Sequence, residues 1–489
     1  MTATALELTG MLAACGSAAL AVAAADRRLR LAAVAAAVVV APILVAGDVW
    51  DEPRVVVFRE DTAQVVGAIA ATLVVVGVVA FLVVRVPGAF PVLAIGLLPL
   101  RVPVEIGGEP ANLLIPLYAV IAATAAVRIR AAIVDRRSAP PRTEGIGIRL
   151  VSPRAGLSSA LRWLLAATLL LYAAQSAYSR DVSTAIEYAG FFLVPFAVMF
   201  ALLLEVEWTR RLLGRVLIAV AAMASVFAAI AVYQYLARDL FLNDELLEAN
   251  QLHQYFRVNS LFFDPNILGR YLALAVTAVG AYIASAPDRR TLGLATAAAG
   301  LALCGIAFSF SISSIAALAG GLGVVATIRW RLRGAIAAAA IGAAAVVLLA
   351  ALGGAPSSDV VEERDIYGGR TDLVEGGLEL AEKRPLAGWG SGSFGVAYWE
   401  QIEQAQMTIS HAEPVTVAAE QGALGVAVYL PLVVVSLLVL LSRRPGASAA
   451  RTAVAGCYVA MLIHSLGYAG FAIDPATWAL LALGVALRE

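Results

Sequence analysis

Two arginines that flank a predicted helix start are the first candidates for a functional site in this sequence. Arg257 precedes the segment Asp264-Pro265-Asn266, and Arg270 follows it by about one helical turn. Proline suits the first helical position, and Asp264 suits the N-cap. The positive end of the helix dipole beside two guanidinium groups favours binding of a diphosphate. The structural alternative is an ordinary interfacial Arg257 and an Arg270 that snorkels outward.

His411 is the second chemical feature, and it lies just before a predicted helix at the end of a long polar segment. A histidine in this setting can take a proton from a hydroxyl group at neutral pH. Glu413 or Glu420 could orient the imidazole ring, and the sequence does not decide between them. The alternative is a surface or helix-capping histidine with a structural role.

A glycine-rich stretch lies between these two features. Residues 383–394 read KRPLAGWGSGSF, and glycine permits close backbone approach to a ligand. The stretch lacks the lysine pattern of a phosphate-binding P-loop, so we do not predict a nucleotide site. It follows a predicted amphipathic helix over 372–383, which either lies at the membrane interface and roofs a cavity or forms a soluble cap. The apolar face of this helix carries Leu373, Val374, Leu378 and Ala381. The acidic face carries Asp372, Glu375, Glu379 and Glu382.

The elements that must position these residues are transmembrane helices. The chain has 489 residues, of which 61% are hydrophobic and only 14% charged, whereas a soluble protein is about half apolar and a quarter charged. Apolar runs of membrane-spanning length recur from end to end. We expect the first, over about 4–25, to be a retained helix rather than a cleaved signal peptide. The fold class is therefore an all-α polytopic membrane protein with roughly 12–15 transmembrane helices.

Arginine placement predicts the orientation of these helices. The segment 128–154 holds seven arginines against Asp135 and Glu144, so we expect it in the cytoplasm. If successive helices cross the membrane in alternating directions, all the arginine clusters lie inside. The long segments 237–266 and 353–414 then lie outside. The runs over 88–100 and 475–487 are short and need not span the membrane.

Five segments follow from this pattern. They are N-terminal transmembrane helices over 1–127, a basic cytoplasmic linker over 128–156, central transmembrane helices over 157–352 with the outer loop 237–266, a large extracytoplasmic loop over 353–414 that contains the amphipathic helix, and C-terminal transmembrane helices over 415–489.

Other site classes receive less support. The formal net charge is zero, so no global field points to nucleic acid. The three cysteines, Cys15, Cys304 and Cys457, lie in apolar stretches, which argues against a disulfide framework or a zinc site. The ionisable residues nearest membrane depth, Arg270, Glu420 and His464, lie near the outer face. They do not form the chain of midplane acids typical of a proton-coupled pump.

The ordered outer segments resemble the O-antigen ligase and O-antigen polymerase superfamily of bacterial membrane glycosyltransferases. The resemblance covers roughly residues 250–430. It rests on an ordered set of motifs: Arg257 with Asp264-Pro265-Asn266, then Arg370, then Pro385-Leu386-x-Gly388-x-Gly390-x-Gly392-x-Phe394, then His411 with Glu420-x-Gly422-x-x-Gly425.

The resemblance implies transfer of a glycan from a polyprenyl-diphosphate carrier to a glycan or lipid-glycan acceptor. It places this reaction on the extracytoplasmic face of the bacterial inner membrane. It implies a metal-independent, inverting enzyme with no cofactor, and the sequence has no Asp-x-Asp motif. Arg257 and Arg370 would hold the diphosphate, and His411 would activate the acceptor hydroxyl. Further substrate-binding candidates are Arg270, Asp264, Asn266, Arg364, Glu413 and Glu420.

Two departures from the family pattern stand out. The family often has an arginine in a turn after the Asp-Pro-Asn helix, whereas residues 309–314 read SFSISS. Arg270 or Arg364 is then the candidate substitute. Ala412-Glu413 follows His411, where the family often has an asparagine. The main alternative function is a transporter or flippase for a lipid-linked or amphiphilic substrate, and a third is a non-catalytic envelope scaffold.

Overall fold

The computed structural model describes residues 4–106, 109–138, 156–252, 255–285, 287–349, 370–402, 410–442 and 448–487. Apart from one antiparallel two-stranded hairpin, β1 (Val102–Ile106) with β2 (Glu109–Leu113), the regular structure in this part of the chain is helical. Large parts of the predicted basic linker and outer loop, including Arg364, lie outside the described residues.

The helices before residue 260 are α1 (Ala5–Ala23), α2 (Arg27–Asp48), α3 (Pro53–Glu60), α4 (Thr62–Arg85), α5 (Ala89–Gly96), α6 (Ile115–Ser138), α7 (Leu157–Gln175), α8 (Val182–Glu187), α9 (Val194–Leu203), α10 (Arg210–Ala237) and α11 (Asp244–Leu252). A 3-10 turn (Ser176–Tyr178) follows α7, and a π-helical segment (Tyr188–Leu193) joins α8 to α9. The later helices are α12 (Pro265–Ile283), α13 (Arg289–Ser309), α14 (Ile312–Leu349), α15 (Arg370–Lys383), α16 (Phe394–Ile402), α17 (Glu413–Leu441), α18 (Ala449–Ser465) and α19 (Pro475–Ala486).

Eleven stretches of the described chain are long and apolar enough to cross a membrane. The helix α18, with 17 residues, and the apolar helix α19, with 12, add shorter members to the bundle. The two runs predicted to be short are short helices: α5 has 8 residues, and α19 would be only about 18 Å long at 1.5 Å per residue. The prediction of an all-α polytopic membrane protein is confirmed.

Contacts among helix ends agree with the predicted alternation. Arg27 and Arg30, at the start of α2, form ion pairs with Glu205 after α9. The Arg162 guanidinium of α7 donates to the carbonyls of Val22 and Ala24 at the end of α1. These ends therefore lie at one face of the bundle. We call the other face the site face, because α12, α14, α17 and α19 begin there and α13 and α18 end there.

Small residues let three helices of the site approach closely. A Cβ added to Gly321 of α14 would lie 3.0 Å from the Gly456 carbonyl oxygen of α18 and 2.7 Å from Thr277 Oγ1 of α12. Small residues at such contacts are typical of helix packing in membranes, where dispersion forces rather than water exclusion hold helices together. The packing fixes the relative positions of the site-face ends of α12, α14 and α18.

The amphipathic helix is confirmed as α15, but its buried face differs in part from the predicted one. Leu373 is buried as predicted, whereas Leu378 is 49% exposed and Leu380 is fully buried. The buried side chains pack with Trp389 and Phe394 in a small apolar cluster of their own. The difference arises because α15 packs against the loop after it and against α16. These contacts determine which face of α15 is buried.

The helix α17 is broken at Gly422, which adopts a left-handed conformation with φ 61°. At the break, the N–H groups of Ala423 and Leu424 donate to the carbonyls of Pro385 and Leu386 instead of to the preceding turn. A Cβ at Gly422 would lie 2.6 Å from the Leu386 carbonyl carbon. The break therefore joins the glycine-rich stretch to the transmembrane bundle.

Replacing Gly422 by alanine should destabilise the protein by at least about 1–2 kcal/mol, because a left-handed conformation strains a residue with a Cβ. Gly77→Ala is the matched control, since Gly77 lies in α4 and has no atom within 4 Å of an added Cβ. The measurement is the thermal unfolding midpoint of each purified variant in one detergent. Equal midpoints for both variants would contradict the assigned role of the break.

Candidate functional site

The start of α12 is held by Asp264 in the predicted way. One carboxylate oxygen of Asp264 accepts from the Asn266 N–H at 2.6 Å, and Pro265 occupies the first turn. The prediction of an N-cap at Asp264 and a helix start at Pro265 is confirmed. The other carboxylate oxygen accepts from the Tyr468 hydroxyl at 3.2 Å. Asp264 therefore ties α12 to the loop after α18.

Arg257 lies on an extended segment whose neighbours are buried. Phe256 and Val258 are 9% and 0% exposed and belong to an apolar core with α10, α12 and α13. The Asn250 side chain bonds both backbone polar groups of Arg257, each at 2.9 Å. These contacts fix the backbone of Arg257 and therefore the point from which its side chain leaves the segment.

The Arg257 side chain contacts the serine turn, which comprises residues 309–314. Arg257 Nε donates to the Ser309 carbonyl at 3.1 Å. Ser311 donates to the Asn266 side-chain oxygen at 2.8 Å and lies 3.1 Å from the Ser313 hydroxyl. The turn that lacks the family's arginine is thus contacted by Arg257 from another segment, and Asn266 is bonded to the turn.

Tyr468 lies at the centre of the polar site. Its ring centroid is 5.8 Å from that of His411 and 5.9 Å from that of His464. The Arg270 guanidinium lies 5.8 Å from the same ring. Burial raises the pKa of the Tyr468 phenol, and the neighbouring Asp264 carboxylate raises it further. Tyr468 therefore remains protonated and serves as a hydrogen-bond donor to Asp264.

The two histidines lie on different chain segments beside this tyrosine, one before α17 and one in α18. His411 precedes α17 and is half-buried. His464, near the end of α18, is fully buried, and its Nε2 lies 3.3 Å from the Ser313 hydroxyl. The polar side chains of the serine turn, α12 and α18 therefore form one connected network that extends to the ring beside His411.

Arg270 is buried in an ion pair. Its Nη2 lies 2.7 Å from Asp474 Oδ2, and the two side chains are 6% and 10% exposed. The alternative in which Arg270 snorkels outward is therefore wrong. Asp474 also caps α19, since it accepts from the Ala476 N–H at 2.8 Å. Two helix starts of the site face, at Asp264 and Asp474, thus meet around Arg270 and Tyr468.

Glu413 binds the backbone of the loop after α18. Its carboxylate accepts from the N–H groups of Gly470, Phe471 and Ala472 at 2.7, 3.0 and 3.4 Å. Its side chain is buried, and hydrogen bonds to a charged acceptor are about twice as strong as neutral ones. This carboxylate fixes the loop that carries Tyr468 next to the segment that carries His411.

Glu420 plays the same part for the glycine-rich stretch. Its carboxylate oxygens accept from the N–H groups of Gly392 and Phe394 at 3.0 and 3.1 Å. The left-handed glycines Gly390 and Gly392 approach the backbones of Ser179 and Ala185. The prediction that these glycines let a ligand approach is corrected: the backbone they admit belongs to the protein itself.

Arg370 is the first residue of α15, which begins two residues before the predicted helix start at Asp372. Its side chain, like the whole of Arg364, lies outside the described residues. The structure thus brings Arg257, Asp264, Asn266, Arg270 and His411 to one site. It gives Glu413 and Glu420 backbone partners on either side of that site.

Sequence reasoning did not assign four members of the network to the site: Ser311, His464, Tyr468 and Asp474. One signal was present, since Asp474-Pro475 repeats the Asp264-Pro265 pattern of a helix start. The pattern predicts a second cap but cannot show that it pairs with Arg270. The other three residues are isolated polar positions near helix ends, with no spacing that links them.

These features define a polytopic membrane protein with an arginine- and histidine-bearing polar site at one end of its helix bundle. Residues 297–430 match the family model described as O-antigen ligase, about a quarter of the chain. A comparison with curated proteins found no match. The matched segment includes the serine turn, Arg370, the glycine-rich stretch and His411. The resemblance to the O-antigen ligase and polymerase superfamily is confirmed, and it supports a membrane glycosyltransferase of that type.

Glu413→Gln should destabilise the protein by about 1.5–3 kcal/mol, because the amide keeps one acceptor oxygen where the carboxylate offers two charged ones. Thermal unfolding in detergent measures the change. Glu379→Gln is the matched control, since Glu379 is 53% exposed and pairs with Lys383 on the same helix. Its effect should stay within about 0.5 kcal/mol. A loss for Glu413→Gln no larger than that of the control would refute the loop-fixing role.

Proposed function

We propose that this protein transfers a glycan from a polyprenyl-diphosphate carrier to a glycan or lipid-glycan acceptor. The observation that carries the proposal is the joining of Arg257, Asn266 and His411 through the serine turn, His464 and Tyr468. Part of this network lies inside the segment that matches O-antigen ligase. The reaction would extend or attach a surface polysaccharide.

The donor's diphosphate gains negative charge as the glycosidic bond breaks. Arg257 and Arg370 are proposed to stabilise that charge, assisted by the N–H groups at the start of α12. Arg257 suits this role because Asn250 and the Ser309 carbonyl fix its position. A fixed cation stabilises the transition state without the cost of ordering a flexible side chain.

His411 is proposed to take the proton from the acceptor hydroxyl. The oxygen then attacks the anomeric carbon on the side opposite the diphosphate, the carbon–oxygen bond to the diphosphate breaks, and the lipid diphosphate leaves. One displacement of this kind inverts the anomeric centre. We propose that the reaction needs neither a metal ion nor a cofactor.

The site face is proposed to lie on the extracytoplasmic side of the bacterial inner membrane. The arginine clusters of the opposite face support this orientation through the positive-inside tendency. A donor glycan exported on its carrier would meet the site there. The acceptor, another lipid-linked or surface glycan, distinguishes a polymerase from a ligase, and both accord with the proposal.

Among the substrate-binding candidates, the contacts favour Asn266 and the cation Arg270 over the acids. Glu413 and Glu420 are proposed to act as positioning residues, because their carboxylates bind loop backbone. Asp264 is proposed to act likewise, as the cap of α12. Arg364 stays a candidate from the sequence alone. The family match favours the enzyme over the transporter or flippase alternative.

His411→Ala should lower transfer by about 10²–10⁴-fold, the usual contribution of a general base. Arg257→Ala and Arg370→Ala should each lower it by about 10²–10³-fold, because each removes a cation from the developing charge. The measurement is release of lipid diphosphate from a labelled polyprenyl-diphosphate glycan by purified protein with a glycan acceptor. Arg290→Ala, an exposed arginine of the opposite face, is the matched control.

Each variant is first checked for an unchanged thermal unfolding midpoint. Near-normal release by all three site variants would refute the residue assignment. A wild-type protein that moves the labelled lipid across proteoliposome membranes and forms no product would favour the transporter instead.

A further inference from the structure

An apolar groove runs along the bundle beside the polar site. It is a cavity of about 570 Å³ between α5, α10, α12, α18 and α19. Its volume lies within the range of roughly 300–1,000 Å³ typical of ligand sites. Along most of its length the lining is aliphatic, with Leu217, Leu274, Ala278 and Ala453 among its walls.

The groove extends across the membrane. One end lies at Arg101, Arg270 and Asp474 on the site face, and the other end reaches Arg210 and Ser285 on the opposite face. The helix α12, which lines it, has 19 residues. At 1.5 Å per residue that helix is about 28 Å long, close to the hydrocarbon thickness of a bilayer. A long hydrocarbon chain fits such a groove, whereas a polar solute does not.

The site-face end of the groove is cationic. The charged residues that line this end are Arg101, Arg270 and Asp474, so the lining carries one net positive charge. The nearby Asp264 is bonded to the Tyr468 hydroxyl and does not line the groove. Arg270 is 5% exposed, and its Nη1 makes no hydrogen bond within the described part of the chain. The Nε of Arg101 is also buried and makes no hydrogen bond within the described part of the chain. Buried donors without partners are costly, so they indicate an anionic ligand at this end.

The cationic end also adjoins the proposed reaction site. The Arg270 guanidinium lies 5.8 Å from the Tyr468 ring, and the His411 ring lies 5.8 Å from the same ring between centroids. A lipid phosphate at Arg101 and Arg270 would therefore lie across one tyrosine from the proposed base. Only a substrate with both a hydrocarbon chain and a phosphate uses both parts of the groove.

We propose that this groove binds the polyprenyl chain of the diphosphate donor, with Arg101 and Arg270 on the phosphate next to the chain. The inference rests on the proposed function. It adds a lipid site and the residue Arg101, which lies far in sequence from the other site residues. A two-chain membrane phospholipid is the competing occupant.

Binding is tested without catalysis by photo-crosslinking purified wild-type protein with a long-chain polyprenyl diphosphate that carries a diazirine on its chain. Crosslinks are expected on peptides of α10 and α12, and unlabelled polyprenyl diphosphate should compete for them. Ala278→Trp and Ala453→Trp fill the groove and should lower crosslinking by on the order of tenfold. Ala297→Trp, on the exposed face of α13, is the matched control and should leave it unchanged.

The phosphate end is tested with Arg101→Gln and with the double variant Arg270→Gln/Asp474→Asn, which avoids an unpaired carboxylate. Both should weaken crosslinking of the diphosphate probe and leave crosslinking of a matched polyprenyl alcohol probe unchanged. If the tryptophan variants do not fold, Ala278→Met and Ala453→Met replace them. Crosslinking that resists groove filling, or that phosphatidylglycerol competes as well as the polyprenyl diphosphate does, would overturn the inference.

Transfer assays separate this inference from the function on which it rests. With a donor of one or two isoprene units, Ala278→Trp should transfer as well as wild type, whereas with the long-chain donor its kcat/KM should fall by on the order of tenfold. Equal loss with both donors would overturn the groove assignment while the function stands. Groove-dependent crosslinking in a protein that transfers neither donor would refute the function while the groove assignment stands.

Discussion

Every backbone N–H and C=O group that leaves a helix inside a membrane bundle must find another partner, because lipid supplies none. The site of this protein is built from such non-helical stretches. Glu420 satisfies the glycine-rich stretch, Glu413 satisfies the loop of Tyr468, and Arg257 satisfies the end of α13. These loops can be buried because carboxyl and guanidinium side chains bind backbone that would otherwise be unpaired.

This constraint divides the charged residues into two groups. Carboxyl oxygens have lone pairs that accept hydrogen bonds from backbone N–H groups, and Glu413, Glu420 and Asp264 are used in this way. The arginines have five donors each and retain capacity after one contact. The carboxylates of the network thus bind the protein's own backbone, and the proposal assigns the binding of an anionic lipid-diphosphate donor to its arginines.

Tyr468 shows how the parts depend on one another. Its ring contacts two histidines and a guanidinium, and its hydroxyl bonds the cap of α12. The loop that holds it is bonded to Glu413, two residues after His411. A change at any of these helix starts would therefore move the proposed base relative to the proposed phosphate site.

The sequence by itself determined the membrane location, the helical fold class, the helix start at Asp264-Pro265 and the order of motifs that resembles the family. These are local properties: run length, arginine placement and cap chemistry act over a few residues. Only the tertiary structure decided that Arg270 pairs with Asp474 and that Glu413 and Glu420 bind loop backbone. It alone showed that the glycines admit the protein's own chain and that Arg101 faces the groove with Arg270. Partners about 200 residues apart in the chain, such as Arg270 and Asp474, meet through helix packing. No local pattern specifies which buried polar side chain binds which distant backbone group.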